Sequence, residues 1–140
     1  MSIQPFHLAI PVHDLDISRQ FYSDSLGLNE GRSSSHWVDF DFYGHQFVIH
    51  EVKGYKPKNH FNSVDKKDVP VPHFGIVLIW EDFWEFVNKV KSKQIDFEIK
   101  PYIRFEGQAG EQATMFFYDP SGNALEFKSF KDPDQLFKIE

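Results

Sequence analysis

Three side chains in this chain have the types and placement to hold a cation: His7, His73 and Glu126. His7 lies in Phe6-His7-Leu8-Ala9-Ile10-Pro11-Val12, where Phe6, Leu8, Ile10 and Val12 alternate with His7 and Ala9. His73 lies in Pro70-Val71-Pro72-His73-Phe74-Gly75-Ile76-Val77-Leu78, where Phe74, Ile76 and Leu78 alternate with His73, Gly75 and Val77. Period-two alternation is the signature of a strand with two distinct faces. Each strand thus sets one imidazole, near a small residue, on the face away from its bulky apolar residues. Glu126 sits between Leu125 and Phe127 on a third strand-like stretch, 124–130. A carboxylate there needs a partner, because an isolated charge among apolar groups is expensive to bury. Two neutral imidazoles and one carboxylate match the facial set that holds Fe(II) with positions left open. Zn(II), Mn(II), Co(II) or Ni(II) suits the same donors. Taken singly, each of the three is equally an ordinary strand residue.

The elements around them repeat. Asp14 or Asp16 caps a helix predicted over 17–26, with Ile17, Phe21, Tyr22, Leu26 and Leu28 on its buried side and Gly27 as its left-handed stop. A short strand with a loop follows from Asn29. The stretches 36–42 and 46–52 form a hairpin about Tyr43-Gly44-His45. After the His73 strand, Glu81 or Asp82 opens a helix through about Lys93, with Phe83, Phe86, Val87 and Val90 at helical spacing. Strands are expected at 95–99, 111–118 and 124–130, the last two joined by Asp119-Pro120-Ser121-Gly122-Asn123. The order is strand, helix, three strands, twice. The fold class expected is α+β, with paired βαβββ modules in one domain over 1–140. Module one covers about 4–52, a linker 53–69, module two 70–130 and a tail 131–140. The polar linker, with four lysines from Lys53 to Lys66 and Lys67 beside the last, reads as a connecting loop, functional or merely solvated.

Bulk properties exclude some classes. A net charge of −6 argues against a nucleic-acid or anionic-membrane binder. No apolar run is long enough to span a bilayer, and the N-terminus lacks a signal-peptide pattern. The absence of cysteine removes disulfides and thiolate ligands and fits a cytoplasmic location. Sixteen phenylalanines can line an apolar pocket as well as fill a core.

The motifs Phe21-Tyr22-Ser23-Asp24-Ser25-Leu26-Gly27 and Tyr118-Asp119-Pro120-Ser121-Gly122-Asn123-Ala124-Leu125-Glu126, with the His7 strand, resemble the vicinal oxygen chelate superfamily. It includes glyoxalase I, extradiol ring-cleaving dioxygenases, and fosfomycin- and bleomycin-resistance proteins. The resemblance spans Phe6 to Phe130. It implies curled sheets around a divalent metal, with His7, His73 and Glu126 as ligands. Aligning the hairpins on Gly44 and Gly122 puts Val48 where glyoxalase-type members commonly have a fourth ligand. A three-ligand site favours the extradiol-dioxygenase type with Fe(II), or a fosfomycin-resistance-like transferase. A glyoxalase-like lyase or isomerase with Zn(II) or Ni(II), and a metal-free binder, are the alternatives. His50, on the face of Val48, is an outer ligand, a substrate contact or a strand-end histidine. His60 stands where ring-cleaving members have a histidine before the second ligand, and Phe116 stands where they have a tyrosine. Tyr118, Tyr43 or Tyr102 is left to replace it, and of these Tyr118 is taken as the catalytic candidate with His60. Arg104, near Gly107 and Gly110, is a candidate contact for an anionic group on a small-molecule substrate. A homodimer is expected, with the site within one chain or shared across the interface.

Overall fold

The structure is a computed structural model that describes residues 1–139. It divides into two compact units, residues 1–58 with 119–123, and residues 59–118 with 124 onward.

In the first unit, β1 (His7–Val12) runs parallel to β4 (His45–Glu51), which pairs with β3 (Trp37–Phe42), which pairs with β2 (Asn29–Ser33). Between β1 and β2 lies α1 (Leu15–Gln20), extended by one wide π-turn over Phe21–Ser25. The Asp14 carboxylate caps α1 by accepting the Ile17 N–H at 3.0 Å. The inward residues are Leu15, Ser18, Phe21, Tyr22 and Leu26. Ile17, expected on this stripe, is 50% exposed. The helix starts two residues earlier than its periodicity suggests, so Leu15 and Ser18 take the inward positions. The π-turn then rotates Phe21 and Tyr22 under the sheet. Gly27 holds φ +74°, the left-handed stop expected of it. Val12, Val38, Phe40, Phe47 and Ile49 complete this core, with Tyr22 edge-on to Phe47 at 4.9 Å between ring centroids.

The turn 119–123 belongs to this first unit. The buried Asp119 carboxylate accepts four bonds: Ser121 N–H and Asn123 N–H on Oδ1, each 2.9 Å, and the Tyr22 hydroxyl (2.8 Å) and Asn123 amide (2.9 Å) on Oδ2. Asn123 also donates to Pro11 O, and Ser121 Oγ accepts the His13 N–H at 2.9 Å and faces His13 Nδ1 at 2.7 Å. The Asp-Pro-Ser-Gly-Asn motif is therefore a clamp on the end of β1 and on the π-turn. Gly122 is required by its φ of +86°.

In the second unit the strand order recurs: β7 (His73–Phe74) runs parallel to β10 (Ala124–Phe130), then come β9 (Gln112–Tyr118) and β8 (Phe97–Arg104). The amphipathic helix α2 (Trp80–Ser92) buries Phe83, Phe86, Val87 and Val90. Phe86 lies 4.3 Å from the Phe127 ring, and Phe117 stacks on Phe127 at 5.8 Å. The α+β class and the βαβββ pattern thus stand, each unit built on an open four-stranded sheet.

Two expectations change. The segment expected to be a loop carries a hairpin of β5 (His60–Val64) and β6 (Lys67–Val71), turned by Asp65 and Lys66 at φ 51° and 62°. No glycine marks this turn and few apolar residues mark its strands, so nothing in the pattern announced it. Val69 and Val64 nevertheless pack with Ile99, Phe116 and Tyr102, covering one face of β8 and β9. Strand β9 is consequently buried on both sides. The continuous strand expected over 70–78 is broken: β6 ends at Val71, Val71–Pro72 is cis, β7 spans two residues, and beyond it only the Val77–Lys128 bridge remains. Glycine is obligatory at 75 because a Cβ there would stand 1.5 Å from the Glu126 carbonyl oxygen.

Candidate metal centre

In the second unit β7 and β10 bring His73 and Glu126 together. His73 Nε2 lies 3.4 Å from Glu126 Oε1. The close passage of Gly75 over the Glu126 backbone sets this approach. His73 Nδ1 is 2.6 Å from Pro70 O. A carbonyl only accepts, so Nδ1 carries a proton and Nε2 faces the carboxylate. With a neutral ring, a lone pair then points at a carboxylate oxygen, which is repulsive unless a cation lies between them. A proton on Nε2 serves the same end, and the bond to Glu126 raises His73 above the ordinary imidazole range, against the opposing effect of burial. For Glu126, burial pushes the carboxyl up, but bonds from His73 and Thr114 outweigh it and hold it below the usual range. Thr114 Oγ1 donates to Glu126 Oε2 at 2.6 Å, leaving Oε1 for the cation. A backbone carbonyl orienting one ligand and a hydroxyl orienting the other is the kind of outer support metal sites require. These residues fit a divalent ion as two of its ligands. Among the described residues no three His, Asp or Glu side chains gather to hold a metal ion.

His7 stands on β1 of the first unit with its Nδ1 3.0 Å from Gln46 Oε1. The Gln46 amide nitrogen faces Asp39 Oδ2 at 3.4 Å, which turns its oxygen toward His7. His7 therefore donates through Nδ1 and keeps Nε2 free, the same tautomer as His73. Val48 and His50 follow on β4, with Ala9 and Pro11 as their respective partners on β1; Val48 is buried and His50 exposed.

The other candidates lie as follows. Phe116 meets His73 edge-on, 5.1 Å between ring centroids, so an apolar ring lies beside the imidazole. Tyr118 pairs with Ala124, and burial followed by the Glu98 charge raises its hydroxyl. His60 is exposed on β5, opposite Val71. Arg104 ends β8, with Nε 2.5 Å from Asp65 Oδ2. Sequence reasoning missed Thr114, Asp65 and Lys67 and left Tyr102 as one of several tyrosines. Thr114 was findable as a polar residue alternating with Phe116 on a strand. The others depend on the unforeseen hairpin. Tyr102 pairs with Thr114, donates its hydroxyl to Asp65 Oδ2 at 3.0 Å, and has Lys67 Nζ 4.4 Å above its ring. Burial, reinforced by Asp65, pushes that hydroxyl up to about 12.

The chain thus folds as two βαβββ-type units, each built on an open four-stranded sheet. The family profile described as "Glyoxalase/Bleomycin resistance protein/Dioxygenase superfamily" matches residues 4–127, and the chain belongs to that superfamily. A glyoxalase/bleomycin resistance protein/dioxygenase from Alicyclobacillus acidocaldarius is 32% identical, with TM-score 0.79 and 96% of each chain covered. The metallothiol transferase FosB of Staphylococcus epidermidis is 24% identical over 139 residues, covering 96% of this chain and 88% of FosB. The genomically encoded fosfomycin resistance protein FosX from Listeria monocytogenes shares the fold, with TM-score 0.66, 18% identity, and 92% and 94% coverage. The superfamily includes metalloenzymes. No described helix is long and apolar enough to cross a membrane.

Proposed function

We propose that this chain is a divalent-metal enzyme that takes a small substrate through two neighbouring oxygens, with His73 and Glu126 as ligands and His7, of this chain or of a second copy, as the third. The observation that carries the reading is His73 itself: pinned through Nδ1 to Pro70 O, it aims Nε2 at the Glu126 carboxylate, an arrangement that a divalent cation between them would satisfy in place of a proton. A divalent ion held there would supply Lewis-acid or redox chemistry to the substrate oxygens. The chain's own residues do the rest. Thr114 orients Glu126, Phe116 packs edge-on against the imidazole, and Tyr102 holds a proton at its hydroxyl up to a pH of about 12.

Ring cleavage of a catechol-like substrate with Fe(II) is the proposed reaction. Two imidazoles with one carboxylate suit it, and Tyr102 offers the phenol that Phe116 lacks. His60, Tyr118 and His50 are kept as candidates for proton transfer and substrate contact. A second reading, a lyase, isomerase or thiol transferase using another divalent ion, draws support from Phe116 and from the FosB likeness.

Elemental analysis of anaerobically purified protein, with His73→Ala and Glu126→Ala, tests the metal. About one ion per chain is expected, lost in both variants. Equal metal in all three proteins would refute the assignment. Oxygen uptake with catechols, set against anaerobic turnover of a hemithioacetal, separates the two reactions. A scattering mass tests the proposed homodimer.

A further inference from the structure

Beside the His73–Glu126 pair, the second unit holds a cluster with its own logic. Arg104 lies at the end of β8, its guanidinium over the Phe105 ring at 4.9 Å and its Nε 2.5 Å from Asp65 Oδ2. Tyr102 donates to the same Asp65 oxygen at 3.0 Å, and Lys67 stands over the Tyr102 ring at 4.4 Å. Two donors, Arg104 and Tyr102, therefore converge on one carboxylate, with Lys67 as a second cation over the Tyr102 ring. The donors are placed on a sheet strand, and the guanidinium has the Phe105 ring as a second contact besides Asp65. The acceptor is the opposite: Asp65 sits at the tip of a two-residue hairpin turn, in left-handed backbone, with its side chain 38% exposed. Fixed donors meeting a peripheral acceptor describe a site whose occupant is exchangeable.

The cluster adjoins the metal face. Tyr102 pairs with Thr114, which holds Glu126, and it packs with Phe116, which lies against His73. With Asp65 in place the cluster keeps one net positive charge, from Arg104 and Lys67, in a chain of net charge −6. We propose that Arg104, Tyr102 and Lys67 form a subsite for an acidic group on the substrate, a carboxylate or phosphonate, and that Asp65 fills it in the free chain as a surrogate. An entering acid takes the place of Asp65 and unclasps the tip of the β5–β6 hairpin. This rests on the metal-enzyme reading for its substrate, which is thereby an acidic one. Planar bidentate recognition of such groups is what arginine does well.

The test uses the metal-free chain with benzoate and phenylphosphonate as probes, benzamide as the neutral control, and calorimetry as the readout. Asp65→Asn removes the competing charge and is expected to tighten both acids about tenfold, with benzamide unaffected. Arg104→Gln is expected to abolish acid binding in the wild-type and Asp65→Asn backgrounds alike. Asp65→Ser repeats the experiment should Asn disturb the turn. Trypsin supplies a second readout: cleavage after Lys66 and Lys67 should accelerate with saturating phenylphosphonate, and should already be fast in Asp65→Asn. Unchanged or weaker acid binding in Asp65→Asn and Asp65→Ser overturns the proposal. So does benzamide binding as tightly as benzoate, or binding of neither acid by any of the proteins. Metal content is measured on the same proteins as purified, before the metal is removed for calorimetry. A chain that exchanges acids but holds no metal refutes the enzyme reading alone, and one that holds metal but ignores Asp65 refutes this one alone.

Discussion

Replacing Tyr22 by Phe removes one oxygen from a fully buried position and leaves the ring where it is. The lost bond runs from the Tyr22 hydroxyl to Asp119 Oδ2 at 2.8 Å. Asp119 keeps three donors, Ser121 N–H, Asn123 N–H and the Asn123 amide, so its charge is not orphaned. The ring keeps its contacts with Phe40 and Phe47, so no large cavity opens. What remains is one charge-assisted bond, worth about 2 kcal/mol net. With a urea m-value of about 2 kcal/mol/M the midpoint should fall by about 1 M. The pH dependence gives the test a second arm. Burial, then the Asp119 charge, raises the Tyr22 hydroxyl well above its ordinary value. Below pH about 10 both folded and unfolded chains hold that proton, and the full stabilisation is present. Above pH about 10 the unfolded chain releases it while the folded chain does not, so stability falls by about 1.4 kcal/mol per pH unit on account of Tyr22 alone. The gap between wild type and Tyr22→Phe should therefore close as pH rises. A midpoint shift below about 0.2 M at pH 7, or a gap constant to pH 11, would refute the account of the clamp.

Gly75→Ala would drive a methyl group into the Glu126 carbonyl, so β7 must leave β10. A loss of about 3 kcal/mol or more is expected in thermal melts, together with loss of bound metal. Thr114→Val keeps shape and frees Glu126 Oε2; metal affinity measured by competition with a chelator should weaken about tenfold or more while the melting point moves little. Arg19→Ala breaks an exposed pair with Glu30, whose carboxyl Arg19, with Ser23, holds below its usual range. The small stabilisation, under about 1 kcal/mol, should be present above the ordinary carboxylate pKa and vanish as acid titration passes the lowered one; it is read as a wild-type minus variant difference in denaturation midpoints.

The regular elements were legible because their periodicities are strong. Phe83, Phe86, Val87 and Val90 could only be a buried helical stripe, and the hairpin about Gly44 announced itself by alternation on both sides. His73 and Glu126 were legible for the same reason: each is a polar residue set into an apolar alternation. The β5–β6 hairpin was not, since Asp65 and Lys66 take up left-handed backbone without the Asn-Gly signal that usually marks such a turn. With it went Asp65 and Lys67, and with them the surroundings of Arg104. The break at Val71–Pro72 was hidden too, because Phe74, Ile76 and Leu78 keep strand alternation across a ladder reduced to the two residues of β7 and the Val77–Lys128 bridge. The Asp-Pro-Ser-Gly-Asn stretch was legible as a turn, but the bond from Asp119 to Tyr22, 97 residues away in sequence, has no local signal.

That distant bond changes how the internal duplication can be handled in the laboratory. The repeat in sequence invites a cut after Lys58, to express each half alone. A fragment ending there would contain every helix and strand of the first unit and still lack a part of it. Residues 119–123 travel with the other piece, and their absence leaves the Tyr22 hydroxyl, the His13 amide and the Pro11 carbonyl without the groups that satisfy them. The separated halves should behave as complementary fragments, each poorly folded alone. A fragment 1–58 followed by a short linker and the pentapeptide of residues 119–123 is the smallest piece that carries every group of the first unit.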